Sequence, residues 1–144
     1  MAIDITLKVS RIKADNTWKK AKVKTSQGEN RDYFFQYSGG NDPDSNNPGG
    51  IETSTAVDAI VTLLNNQATG SYTIKTMEFS NNKNDSNADI CTITSQTTIT
   101  ISFNDNYSKK NHNINYSVIV NDTGDLHNGE IVSFECDPII KNKT

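Results

Sequence analysis

The chain has 144 residues, 22% of them charged, and a formal net charge of −3, a length that fits one domain with a core needing no disulfide or metal staples. A pI near 5.3 argues against a nucleic-acid binder, which carries a concentrated basic face. No apolar run approaches the roughly 18 residues of a membrane-spanning helix, and no basic start or apolar stretch marks a signal peptide, so the expected compartment is the cytoplasm.

Fifteen Ile and seven Val against four Leu favour strands over helices. Ile3, Ile5, Leu7 and Val9 alternate with Asp4, Thr6 and Lys8, the period-two pattern of a half-buried strand. Ile12 falls on the opposite parity, which predicts a bend or bulge near Ser10-Arg11 or a fresh start. Trp18, Ala21 and Val23 mark a second strand, with Lys19, Lys20, Lys22 and Lys24 as its solvent face. Tyr33 to Tyr37 reads as an aromatic strand covered on both faces. Ser38 to Gly50, with four Gly, two Pro, three Asn and no apolar residue, is the longest irregular segment and a surface loop.

Thr53 to Asn66 fits two periods. Val57, Ile60, Val61 and Leu64 suit a helix capped by Thr53 or Ser54, whereas Val57, Ala59, Val61 and Leu63 suit a strand; β-branching favours the strand. A further strand covers Tyr72 to Phe79, followed by a polar loop over Asn81 to Asp89. Ile90 to Thr94 and Thr97 to Phe103 follow as strands, the second facing Ile99, Ile101 and Phe103 inward. Asn104 to Asn113 reads as a loop, then Tyr116, Val118 and Val120 line a strand face. Asp122 to Asp125 is a turn signal, and Val132, Phe134 and Cys136 share a face of the last strand, which Pro138 ends. About eight or nine short strands at this spacing predict an all-β antiparallel sandwich spanning residues 1–144 as a single domain.

Few residues offer chemistry. His112 and His127 fall in predicted loops, without the oriented partner that a general base needs. Cys91 and Cys136 sit in strands and are expected as buried free thiols, since a reducing compartment does not favour a disulfide. Asp42, Asp44 and Asn46 place oxygens at alternate positions, like the start of a calcium loop. The sixth position is Asn47 and the twelfth Thr53, which excludes an EF-hand. A looser calcium site and a plain series of Asx turns both remain open there. Five Asn-X-Ser/Thr sequons (Asn84, Asn106, Asn115, Asn121, Asn142) accord with nineteen Asn residues and carry no meaning without a secretory route. No phosphate loop, nucleophile elbow or paired-His zinc motif occurs, so no cofactor is expected.

The last third of the chain carries a resemblance. Thr98 to Asn106, a strand running into an Asx-rich turn, is followed by Asn115-Tyr116-Ser117-Val118-Ile119-Val120 and then Cys136-Asp137-Pro138-Ile139-Ile140-Lys141-Asn142. This order resembles the bacterial DP-EP family and the neighbouring inclusion-body proteins of the PixA/AidA type, which close an all-β body on Asp-Pro followed by Ile. The resemblance implies an immunoglobulin-like sandwich without an established activity. Asp137-Pro138 is read as a structural closure.

The expectation is therefore a non-enzymatic bacterial β-sandwich of the interaction or storage kind, self-associating or binding another protein, with no nucleic-acid or membrane partner. The rival reading is a lectin-like module. In it Trp18 or Tyr37 forms a sugar platform and Asp42, Asp44 and Asn46 supply polar contacts to carbohydrate.

Overall fold

A computed structural model describes residues 2–13, 15–24, 31–64, 71–81, 91–106, 112–127, 130–136 and 139–142. Twelve strands lie among them: β1 (Ile3–Ser10), β2 (Lys19–Lys20), β3 (Lys22–Val23), β4 (Phe34–Gly39), β5 (Ile51–Thr53), β6 (Val57–Leu64), β7 (Tyr72–Asn81), β8 (Cys91–Gln96), β9 (Thr100–Asp105), β10 (His112–His127), β11 (Glu130–Cys136) and β12 (Ile139–Asn142). No helix occurs among the described residues, and none is therefore long and apolar enough to cross a membrane.

One sheet runs β2-β4-β1-β6-β9-β8; the other runs β3-β11-β10-β12-β5, with β7 paired to β10. Pairing is antiparallel except for β1 beside β6 and β5 beside β12. The period-two pattern puts Ile5, Val61 and Ile101 in one inward row across β1, β6 and β9, each no more than 1% exposed. Facing them, Tyr116, Val118 and Val120 of β10 and Val132, Phe134 and Cys136 of β11 are buried in the same core. Rings close the gap between the sheets. Tyr33 stacks on Phe134 at 4.2 Å, Tyr37 meets Tyr116 edge-on at 6.0 Å, and Phe103 lies 5.3 Å from Tyr116. The protein is thus an all-β sandwich, as the alternation predicts, and Thr53 to Asn66 is strand, not helix, over Val57–Leu64.

Several local expectations are corrected. The predicted second strand splits at Ala21, because β2 pairs with β4 and β3 with β11; the chain changes sheets there and closes one side of the sandwich. Only one face of the aromatic strand is buried: Tyr33, Phe35 and Tyr37 point inward, and Phe34 and Gln36 are half-buried outside. β1 stops at Ser10, which leaves Ile12 62% exposed. In β7, Tyr72 and Ile74 are buried but so is Met77; the ladder to β10 slips at Lys75, and this bulge reverses the parity.

Ile99 does not face the core. It sits in the turn between β8 and β9 and is 43% exposed, because Thr97 caps that turn through hydrogen bonds with Ile99 and Thr100. Asn104 and Asp105 belong to β9, and His112 and Asn113 to β10, so both ends of the predicted loop are strand. Asp122 to Asp125 is a bulge within β10, not a chain reversal. The Asp122 carboxylate accepts from Gly124 N at 3.2 Å, and Thr123 N donates to Ser71 O at 2.8 Å.

Asp137 and Pro138 lie outside the described residues, as does the polar tract from Asn82 to Asp89. β11 ends at Cys136, as expected, but it is not the last strand: the register that sets Val118 against Cys136 also sets Asn115 against Ile139, so β12 lies along the same side of β10 as β11.

Candidate functional site

The loop from Gly40 to Gly50 is where the sequence places its oxygen-rich residues, and it proves to be a closed Ω-like structure. Gly49 N donates to Gly39 O at 3.2 Å, and Asn41 N donates to Gly50 O at 3.1 Å, which draws the two ends together. Gly49 has φ +77°, and a Cβ there would meet the Tyr37 ring carbons at 2.8–2.9 Å, so only glycine fits. The buried Tyr116 hydroxyl donates to Gly49 O at 2.5 Å and pins the loop to the core.

Asp42, Asp44 and Asn46 are brought together here, but their oxygens serve the loop itself. Asp42 Oδ1 accepts from Asp44 N at 3.0 Å, Asp44 Oδ1 from Asn46 N at 2.9 Å, and Asp42 Oδ2 from Asn47 Nδ2 at 2.8 Å. These are Asx turns, in which the carboxylates hold backbone N–H groups. Among the described residues, no cluster of three or more His, Cys, Asp or Glu side chains is arranged to hold a metal ion.

Beside this loop lies a shallow, open depression lined by Thr17, Lys19, Phe35, Gln36, Tyr37 and Pro48. Gln36 Nε2 donates to Thr17 Oγ1, and the Thr17 hydroxyl donates in turn to Asp15. The Thr17 hydroxyl and then its backbone N–H hold the Asp15 carboxyl below the usual range. Trp18 is half-buried at this edge. Tyr37 is no sugar platform: it is 5% exposed, packed edge-on to Phe35 and Tyr116, and its hydroxyl donates to Cys136 O at 2.8 Å. The sequence places Tyr37 in an aromatic strand, but its position between the two sheets needs the fold.

The remaining polar chemistry inside the molecule is architectural. Tyr33 donates to Asp122 Oδ2 at 2.8 Å, both residues being fully buried, and this ties the start of β4 to the bulge of β10. Burial, and then the Asp122 carboxylate, push the Tyr33 hydroxyl well above its ordinary value. Cys91 and Cys136 are free buried thiols in opposite sheets. Burial, and next the neighbouring Asp105 carboxylate, hold the Cys91 thiol in its protonated, unreactive form. His112 and His127 lie in β10.

The feature that sequence reasoning missed is a sheet edge. Five strands are edges among the described residues. β2 carries Lys19 and Lys20, β3 carries Lys22, β5 carries Glu52, and β7 carries Lys75 and Glu78. Each is short, charged or both, which are standard ways of discouraging another strand from adding on. β8, Cys91-Thr92-Ile93-Thr94-Ser95-Gln96, pairs among the described residues only with β9 and has no charge and no proline. Every residue of β8 after Cys91 is exposed, Ile93 at 39%. Its sole irregularity is a bulge at Thr94. The signal was present in the sequence, since the fifteen residues from Ile90 to Asn104 hold no charge, no Gly and no Pro.

No protein-family model matches the chain, and no curated protein matches it.

Proposed function

We propose that this chain is a non-enzymatic protein of the interaction or storage kind, which engages a protein partner by accepting an added strand along β8. The observation that supports this reading is the contrast among edges: β8 alone among the described edge strands is free of charge. In such an addition, outward-pointing N–H and C=O groups supply affinity, and the alternating side chains supply selectivity. Thr and Ile favour the extended backbone that the incoming strand must meet. The resemblance to the DP-EP and inclusion-body families supports reading the sandwich as immunoglobulin-like and the protein as bacterial.

The carbohydrate reading has less behind it. Tyr37 is in the core, the Asp42 and Asp44 oxygens hold their own loop, and the depression beside Trp18 is shallow with Gln36 and Thr17 already bonded to each other.

The test uses a dye-labelled hexapeptide of the β8 sequence, with serine in place of its cysteine, titrated with dilute protein and followed by fluorescence anisotropy. Saturable binding that Thr92→Lys weakens at least tenfold is the expected result. Absence of binding up to millimolar protein would refute strand addition at this edge.

A further inference from the structure

Resting on the preceding reading of β8 as the binding edge, we propose that its partner is a second copy of this chain, paired antiparallel about a two-fold axis at Ile93. A two-fold interface sets each residue of a segment against its mirror position in the same segment, so the segment must complement itself. Thr92-Ile93-Thr94 does so: reversed about Ile93, Thr92 stands against Thr94 and Ile93 against Ile93.

Charge argues in the same direction. A charged residue near a two-fold axis meets its own copy, and like charges directly opposite each other on neighbouring strands repel. β2, with Lys19-Lys20, is barred from self-pairing on that ground, whereas β8 brings no charge to the axis. Ile93 supplies the apolar element. It pairs with Phe103, whose side chain is in the core, so it lies on the inward face of its sheet, yet it is 39% exposed because it stands at the rim. Setting Ile93 against its copy covers part of the exposed surface of both side chains.

The bulge at Thr94 keeps the new ladder short. The dimer is accordingly weak and concentration-dependent, in keeping with small interfaces.

The experiment is sedimentation velocity on the full chain at rising concentration, together with Ile93→Lys and Ile99→Lys. Ile99 is equally exposed but sits in the β8–β9 turn, off the edge. The expected result is a monomer that becomes a dimer as concentration rises, loss of the dimer in Ile93→Lys, and an unchanged dimer in Ile99→Lys. Thr92→Lys, on the outward face, replaces Ile93→Lys if the latter lowers the melting temperature. A chain that stays monomeric, or a dimer that survives both edge variants, overturns the self-pairing. The hexapeptide titration separates the two readings: if the peptide binds while the chain stays monomeric, the edge serves a different protein, and if the peptide also fails to bind, strand addition falls as well.

Discussion

Removing the Phe134 ring is the sharpest test of how the two sheets are held together. Phe134 is fully buried on β11, its ring stacked 4.2 Å from Tyr33 at an interplanar angle of 9° and perpendicular to Tyr72 at 6.1 Å. Phe→Ala in a core costs about 3–5 kcal/mol through lost transfer energy and the cavity left behind. Two ring pairs, each worth about 0.5–1.5 kcal/mol beyond buried area, place Phe134→Ala near the top of that range. Against a total stability of about 5–15 kcal/mol, that is a large fraction. With a urea slope of about 2 kcal/mol per molar, the unfolding midpoint falls by about 2 M. Phe134→Leu keeps most of the volume and loses less than half as much. Glu135→Ala, one residue along on the opposite face, removes a hydrogen bond from Ser117 Oγ at 2.9 Å and costs about 1 kcal/mol. The assay is an equilibrium urea melt of all three variants. If Phe134→Ala moves the midpoint no further than Glu135→Ala, the ring is not holding the sheets, and the packing argument is wrong.

Tyr33→Phe keeps the stacked ring but leaves the fully buried Asp122 without the hydroxyl at 2.8 Å; the cost is about 1–3 kcal/mol, read by the same melt, and a neutral result would show the pair to be dispensable. Tyr33, Tyr116 and Cys91 are each pushed above their ordinary values by burial, and a raised folded-state value means stability that is full below the unfolded value and falls as pH rises past it. The unfolding free energy should therefore be insensitive to these groups near neutrality and drop above pH 9 for the thiol and above pH 10 for the tyrosines, with Cys91→Ala flattening the earlier part of the decline; a flat profile to pH 11 would refute it.

Alternation of apolar residues carried the architecture because burial on one face of a strand leaves a period of two in the sequence. Ile5-Leu7-Val9 and Val132-Phe134-Cys136 were readable for that reason. The places where the reading slipped are those where a backbone irregularity breaks the period. Lys75 is one extra residue in β7, and it moved burial from the parity of Ile74 to that of Met77. Asp122-Thr123-Gly124 has turn chemistry, but the turn bonds to Ser71 and Asp122's own side chain, and the strand continues through it. Ala21 looks like any small strand residue, yet it is where the chain leaves one sheet for the other, a fact set by which strands Lys20 and Lys22 find as neighbours.

The edge was hidden for a different reason. Composition marks a segment as neutral and strand-forming, but a neutral strand in the centre of a sheet is unremarked, because both its hydrogen-bonding sides are paired. β9, Thr100–Asp105, is as neutral as β8 up to its final residue and lies between β6 and β8, so its neutrality has no consequence. Only the strand order shows that β8 is outermost, and only then does the missing charge become a statement about binding. The polar loop misled in the opposite direction. Asp42 and Asp44 look like offered ligands in a linear reading, since the sequence does not show that backbone N–H groups two residues ahead lie within 3.0 Å of their oxygens. A carboxylate that already accepts from the chain has fewer lone pairs for a ligand, whereas the outward N–H and C=O groups of an edge strand have no partner until another strand arrives. The proposed binding edge is therefore the plain Thr-Ile-Thr strand, whereas the Asp42 and Asp44 oxygens of the conspicuous acidic loop already accept from their own chain.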